Sequence, residues 1–210
     1  MKTAFVFMLP RSGSSMVTGI LHILGIDLGS PLKKADKYNV KGYFENENFL
    51  EIQRWLWAHG LDMLKTAPES KKWNIPRRLI DAYNQSFTGD FRATKMISEI
   101  ADTLKPISGK IYVIVNLREP EAQTKSTRSF FLGKVKIDDV LLYRYYAERV
   151  YTAFNWALKH NCPLLVLDYD LILSRPRTQI ERIVNFLGLP LEEKRIREAV
   201  NFVDRKLKHH

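Results

Sequence analysis

The sequence predicts an α/β protein, a three-layer α/β/α arrangement around a central, mostly parallel sheet. Three observations carry this. Short apolar runs suited to strands buried on both faces alternate with stretches of helical periodicity. The first run passes through a tight glycine-containing loop directly into a helix. The 210 residues, 45% hydrophobic and 27% charged, suffice for one domain with a sizeable core. No repeat, low-complexity tract or compositional break divides the chain, so residues 1–210 read as a single domain.

The elements follow in order. Thr3 to Met8 reads as a buried strand, and Ser14 to Leu24 as a helix with Met16, Val17, Ile20, Leu21 and Leu24 on one face. The opening MKTAFVFMLP has the single Lys and short apolar stretch of a signal peptide. Its apolar part is too short, and Arg11 follows without a small-residue cleavage site, so the strand reading is preferred. Residues 30–48, SPLKKADKYNVKGYFENEN, read as an exposed loop. Helices are expected over Asn48 to His59 and over Arg77 to Phe87, the second with Pro76 beside its start.

Phe91 to Met96 suits a second strand, and Ile111 to Leu117, IYVIVNL, is the clearest strand in the chain. Glu119 to Phe130 reads as a helix with Pro120 in its first turn. A long helix is expected from Ile137 to Lys159, with Val140, Ala147, Val150, Tyr151, Phe154 and Leu158 as its apolar face. Leu164 to Leu167 forms a further strand, and two C-terminal helices follow, the first ending at Gly188.

Thirty-three Lys and Arg against 23 Asp and Glu give a formal charge of +10. That excess points to an anionic partner, although a solvated basic surface carries the same sign. Cys162 is the only cysteine, so no intrachain disulfide is possible, which fits a reducing, cytoplasmic compartment. No apolar run approaches the ~20 residues of a membrane span. No His/Cys cluster has zinc-ligand spacing, and no metal site is expected.

In parallel sheets, ligands bind beyond the carboxyl ends of the strands. This selects the loop at residues 10–15, Lys95 and Arg118. The loop reads PRSGSS. Ser12, Gly13, Ser14 and Ser15 offer backbone N–H groups at a helix N-terminus, where an anion meets aimed donors and a positive dipole end. Gly13 permits backbone conformations that other residues resist, and Arg11 adds a charge able to grip a phosphate with two bonds. Strand, anion loop and helix in this order make the fold P-loop-like. The Gly-Lys-Ser/Thr of a nucleoside triphosphatase is missing, however. A plain turn with a Ser cap is the simpler alternative.

Arg118 ends a strand, and Ser126 follows eight residues later, about 9 Å along the next helix. The two are positioned to converge on a second anion, clear of the first loop. One ligand with two separated phosphates would satisfy both places.

These features together resemble the sulfotransferases that use 3′-phosphoadenosine 5′-phosphosulfate (PAPS). PRSGSS is similar to their 5′-phosphosulfate loop. LREPEAQTKS matches their Arg and Ser spacing for the 3′-phosphate. LLVLDYDLILSRPRTQIERIVNFLGLPL resembles their downstream strand, Tyr-Glu-Asp-Leu segment and Phe-Leu-Gly helix end. The resemblance implies PAPS as donor, adenosine 3′,5′-bisphosphate (PAP) as product, and no metal. It implies that Arg11, Ser12, Gly13, Ser14, Ser15, Arg118 and Ser126 bind the donor.

KGYFENENF resembles a segment in which the family's carbohydrate-modifying, tyrosine-modifying and bacterial branches place a Glu as general base. Glu45 is therefore the first choice for the base, with Glu47, Glu51 and the histidines as alternates. Lys95 stands where many relatives carry Lys-Asp-Pro; here the residues are Lys95-Met96-Ile97, and Lys95 is the candidate for a second charge near the transferring group. The Gly-rich C-terminal segment of the cytosolic small-molecule branch is absent. Arg205 and Lys206, with Lys208, would replace it by charge.

The implied acceptor is a small-molecule or carbohydrate hydroxyl or amine, with an acidic one suggested by the charge. The loop from Ser30 to Asn48 and the segment from Lys65 to Pro76 are its expected walls. Two rivals remain. One is a kinase or other P-loop nucleotide-binding protein, favoured by strand-loop-helix order alone. The other is a basic nucleic-acid-binding protein, suggested by Tyr143, Tyr145, Tyr146 and Tyr151 near Arg144 and Arg149. Helical spacing makes core packing the preferred reading of that cluster, and no nucleic-acid partner is expected.

Overall fold

Alternation along the first strand sets the layers. In β1 (Lys2–Phe7), Ala4 and Val6 enter one apolar cluster, whereas Phe5 and Phe7 enter another on the opposite face. The period of two in a strand requires this. In β3 (Lys110–Leu117), Tyr112 and Ile114 join the first cluster, and Val113 and Val115 the second. A computed structural model describes residues 1–36, 39–61, 73–104, 109–130 and 138–203. Among these, β2 (Phe91–Met96), β1, β3 and β4 (Leu164–Asp168) form one sheet in the order β2-β1-β3-β4, every pair parallel.

Helices cover both faces. α1 (Ser14–Ile23), α8 (Pro176–Leu187) and α9 (Glu193–Phe202) supply Val17, Ile20, Leu21, Ile180, Ile183, Val184, Leu187 and Ile196 to the first cluster. α2 (Glu47–Ala58), α3 (Arg77–Gln85), the short α4 (Ala101–Leu104) and the long α6 (Asp139–Lys159) supply the second. There Trp156 lies 5.6 Å from Phe5 and 5.4 Å from Phe7, ring centroid to centroid. Burying side chains of this size contributes about 2–3 kcal/mol each. α5 (Pro120–Phe130) leads away from β3, and α7 (Tyr169–Ser174) from β4. The turn at Ser98–Ile100, α4 and α7 escape sequence periodicity because each is too short to show any.

The expected face of α6 is corrected. Val140, Ala147, Tyr151 and Leu158 are exposed, and Val150 and Phe154 are half-buried. The buried stripe is Leu142, Tyr145, Tyr146, Arg149, Ala153, Trp156 and Ala157. Small Ala153 and Ala157 flank Trp156 in the same apolar cluster as Phe5 and Phe7. Arg149 is buried because it forms an ion pair with buried Glu99. Three members of the tyrosine-arginine set that suggested a nucleic-acid surface are thus core residues.

Each outer strand of the sheet takes a hydrogen bond from outside it. Beyond β2, the Asp27 backbone pairs with the strand, its N–H donating to Phe91 O (3.0 Å) and its carbonyl accepting from Ala93 N (2.8 Å). The Asp27 carboxylate accepts from the N–H groups of Gly29, Thr88 and Gly89, each at 2.7 Å. Beyond β4, Arg182 of α8 donates to Val166 O at 3.4 Å.

Candidate active site

The site forms beyond the carboxyl ends of β1, β2 and β3, as expected for a parallel sheet. After β1 the chain turns through two left-handed residues, Arg11 (φ 62°) and Gly13 (φ 87°). The arginine's conformation costs about 1–3 kcal/mol and must be held by its surroundings. It is held by side chains that grip three successive carbonyls. Gln123 Nε2 donates to Pro10 O (2.6 Å), Arg118 to Arg11 O (3.2 Å), and Asn116 Nδ2 to Ser12 O. Peptide planarity then turns the following N–H groups the other way.

Ser14 and Ser15 open α1, so their N–H groups precede any carbonyl the helix can offer. Gly13 supplies no side-chain cap. Its α-carbon lies against Tyr169, and a Cβ there would run into the ring. The Ser12 amide is not one of the outward donors expected of it, because it donates to Leu9 O at 3.1 Å. The Ser12 hydroxyl is fully buried and has no hydrogen-bond partner among the described residues.

Arg118 and Ser126 are both buried. They are not clear of the loop, as the sequence suggested. Arg11 Nε donates to Ser126 Oγ at 3.0 Å, and the Arg118 guanidinium lies 4.6 Å over the Tyr169 ring while bonding the loop. Thr127 and Tyr146 share a 2.6 Å hydroxyl bond that fixes α5 against α6. Burial, then the charge of Arg118, holds Arg11 below the usual arginine range. Two guanidiniums kept together beside aimed N–H groups favour an anion between them.

On the other side of the loop stands an acid. Lys95, at the end of β2, is buried and holds Glu45 Oε1 at 2.6 Å. The same ammonium donates to Ser15 Oγ (3.0 Å) and Tyr43 O (3.4 Å). Burial lowers the Lys95 pKa, and Glu45 is the main force opposing that. Glu45 rides on the loop between Ser30 and Asn46, closed by Lys33 N–H to Glu45 O (2.8 Å) and Glu47 N–H to Pro31 O (2.9 Å). Asn46 anchors its end. Its Oδ1 caps α2 through Asn48 and Phe49 N–H, and its Nδ2 donates to Leu28 O (3.2 Å) and Ser86 Oγ (2.8 Å). Tyr43 donates its phenol to Asp36, and burial, then Asp36, pushes it up to about 12. Lys33 Nζ sits 3.5 Å above the Tyr43 ring.

Of the alternates for the base, Glu51 pairs with Arg54, Glu47 sits in the first turn of α2, His59 stacks on Trp55, His160 bonds Asp102, and His22 lies 6.1 Å from the Phe44 ring, whereas His209 and His210 lie outside the described residues. Arg205 and Lys206 lie outside the described residues, as do Lys208 and the stretch from Lys65 to residue 72 of the expected acceptor wall.

Sequence reasoning missed Asn116, Gln123, Tyr169 and Tyr43. Asn116 had a signal, being a polar residue inside an apolar strand. So did Gln123, one helical turn before Ser126 on the same face. Among the described residues, no three His, Cys, Asp or Glu side chains group as metal ligands would, and no helix is long and apolar enough to cross a membrane.

The fold is found in solved structures. Mouse sulfotransferase SULT7A1, complexed with PAP, superposes with a TM-score of 0.55 at 10% identity, over 96% of this chain and 63% of that one. The chain therefore spans less than two thirds of the mouse protein. Sulfotransferase STF9 from Mycobacterium avium gives 0.60 at 12% identity, over 95% and 67%. The sulfotransferase domain of the Synechococcus PCC 7002 olefin synthase gives 0.54 at 16%, over 100% and 83%. No curated protein matches the chain by sequence. The sulfotransferase domain pattern matches residues 2–206, nearly the whole chain, and so the chain belongs to the sulfotransferase domain family.

Proposed function

We propose that this protein transfers a sulfuryl group from PAPS to an acceptor hydroxyl or amine. One observation carries the reading: the Lys95 ammonium bonds both Ser15 of the anion loop and the Glu45 carboxylate. A carboxylate thus lies one side chain away from the loop proposed to hold the phosphosulfate.

Bound there, PAPS would supply an activated sulfuryl group on a good leaving group. The protein's own residues do the rest. Ser14 and Ser15 N–H groups and Arg11 hold the 5′-phosphosulfate, with Ser12 and Gly13 shaping the loop. Arg118 and Ser126 hold the 3′-phosphate. Arg11 and the loop steady the charge that collects on the leaving oxygen, and Lys95 adds charge beside the transferring group. Glu45 accepts the proton of the attacking hydroxyl. In this reading fixed cations and N–H dipoles carry the electrostatics without a metal. Arg205 and Lys206 would add charge to the 3′-phosphate side.

The acceptor meets the loop between Ser30 and Asn46, which carries Lys33, Lys34 and Lys41. That charge suits an acidic small molecule or carbohydrate. The single cysteine suits a cytoplasmic setting.

Thermal unfolding tests the reading against its rivals. Adenosine 3′,5′-bisphosphate without magnesium is expected to stabilise the protein by about 2.7 kcal/mol at a hundredfold excess over its Kd. ATP with magnesium, and single-stranded DNA, are expected to do less. A preference for ATP with magnesium would sink the proposal.

A further inference from the structure

Lys95 has three N–H donors, and three acceptors surround it: Glu45 Oε1 at 2.6 Å, Ser15 Oγ at 3.0 Å and Tyr43 O at 3.4 Å. The side chain is 4% exposed and that of Glu45 13%, so their attraction is little screened by water. With Oε1 engaged by the ammonium, that oxygen is not open to an acceptor's proton. Yet Glu45 is the residue placed to accept one. Ser15 resolves the conflict, because it puts the same ammonium in contact with the anion loop. We propose that Lys95 is a shared cation: an anion seated at Ser15 draws its ammonium away from Glu45, so that donor binding itself frees the carboxylate to take a proton. This rests on the sulfotransferase reading of the site.

The charges that face Glu45 agree with it. Lys95 reaches it from β2, Lys33 and Tyr43 belong to its own loop, and Asp36 engages Tyr43. Arg11 and Lys33 both add positive potential at Lys95. An incoming anion is thus drawn toward the ammonium that holds Glu45. In this scheme Lys95 is a positioning residue for the base. By linkage the coupling is reciprocal: the factor by which a bound anion weakens the Glu45–Lys95 pair is the factor by which the intact pair weakens anion binding.

A double-mutant cycle tests this, with adenosine 3′,5′-bisphosphate as the probe and calorimetry without magnesium as the readout. Its 5′-phosphate stands in for the donor's. In the wild-type background, Glu45→Gln is expected to tighten binding about tenfold, and in the Lys95→Met background less than about threefold. Equal gains in both backgrounds would mean simple charge repulsion and overturn the proposal, as would no gain in the first. Lys95→Met strands Glu45 and threatens folding, so a measurement on the wild type stands beside it. In protein with isotope-labelled lysine, saturating bisphosphate is expected to shift the Lys95 ammonium resonance and remove its contact with Glu45. An unmoved resonance overturns the proposal. If the bisphosphate binds neither wild type nor variants, the sulfotransferase reading falls too; binding with additive effects removes the shared cation alone.

Discussion

The anion loop is gripped from the sheet, whereas Glu45 hangs on a loop closed by its own backbone and anchored at Asn46. The Pro10–Ser12 carbonyls are held by Asn116 and Arg118 at the end of β3 and by Gln123 of α5. Glu45 reaches the sheet through the side chain of Lys95. The wall proposed to bind is therefore set by tertiary structure, and the wall proposed to react by local turns and one cation. Damage to the first should alter binding or stability, and damage to the second should alter turnover while binding persists.

The largest test of that contrast is Glu45→Gln. Turnover is expected to fall about 100- to 10,000-fold while the bisphosphate still binds. Unchanged turnover removes Glu45 as the base and the contrast with it. Gly13→Ala attacks the other wall. It forces an alanine to φ 87° and a methyl into Tyr169. Urea unfolding is expected to show a loss of about 3 kcal/mol, and a loss below about 1 kcal/mol would mean the loop yields easily. Arg118→Ala should reduce the preference for the bisphosphate over adenosine 5′-phosphate about 30-fold. An unchanged preference would detach Arg118 from the 3′-phosphate.

Asn46→Ala sharpens the comparison from the base side. Loss of the α2 cap is expected to cost about 1 kcal/mol in thermal unfolding. Turnover should fall several-fold with no loss of bisphosphate affinity. The smallest effect concerns Asp27, away from both walls. Three N–H groups hold its carboxyl below its ordinary value of 3.8 despite partial burial, which acts the other way. A depressed folded value means that its stabilising contribution is complete above 3.8 and is lost as pH falls through the folded value. Asp27→Asn should thus flatten the acid limb of a stability-pH curve; an unaltered limb would remove Asp27 from it.

The same division explains what could be read from the residues alone. The strands were legible because burial on both faces writes continuous apolar runs, and β2 was found with its observed bounds. The positions of PRSGSS and Arg118 were legible because strand ends fix where side chains emerge, and that of Ser126 because it follows on the next helix. Their convergence on Arg11 was not, since nothing in spacing says that α5 turns back over the loop. Glu45 was reached by resemblance, and its ion pair with Lys95 spans a separation that periodicity cannot register. On α6 the pattern misled. Val140, Tyr151 and Leu158 have helical spacing, but alanines beside Trp156 join the apolar cluster of Phe5 and Phe7, and a paired arginine replaced an apolar residue in the buried stripe.

The hydrogen bonds to the outer strands of the sheet bear on how the protein behaves in a crowded solution. A parallel sheet presents an unsatisfied row of N–H and C=O groups on each outer strand, and such rows recruit extended segments from other chains. Here the Asp27 backbone occupies part of the row beyond β2, and Arg182 places a charged side chain on the row beyond β4. The strand that bears Lys95 is thus guarded against foreign pairing. Changes at Asp27 or Arg182 that leave the site untouched should first show themselves as aggregation during expression, before any loss of chemistry.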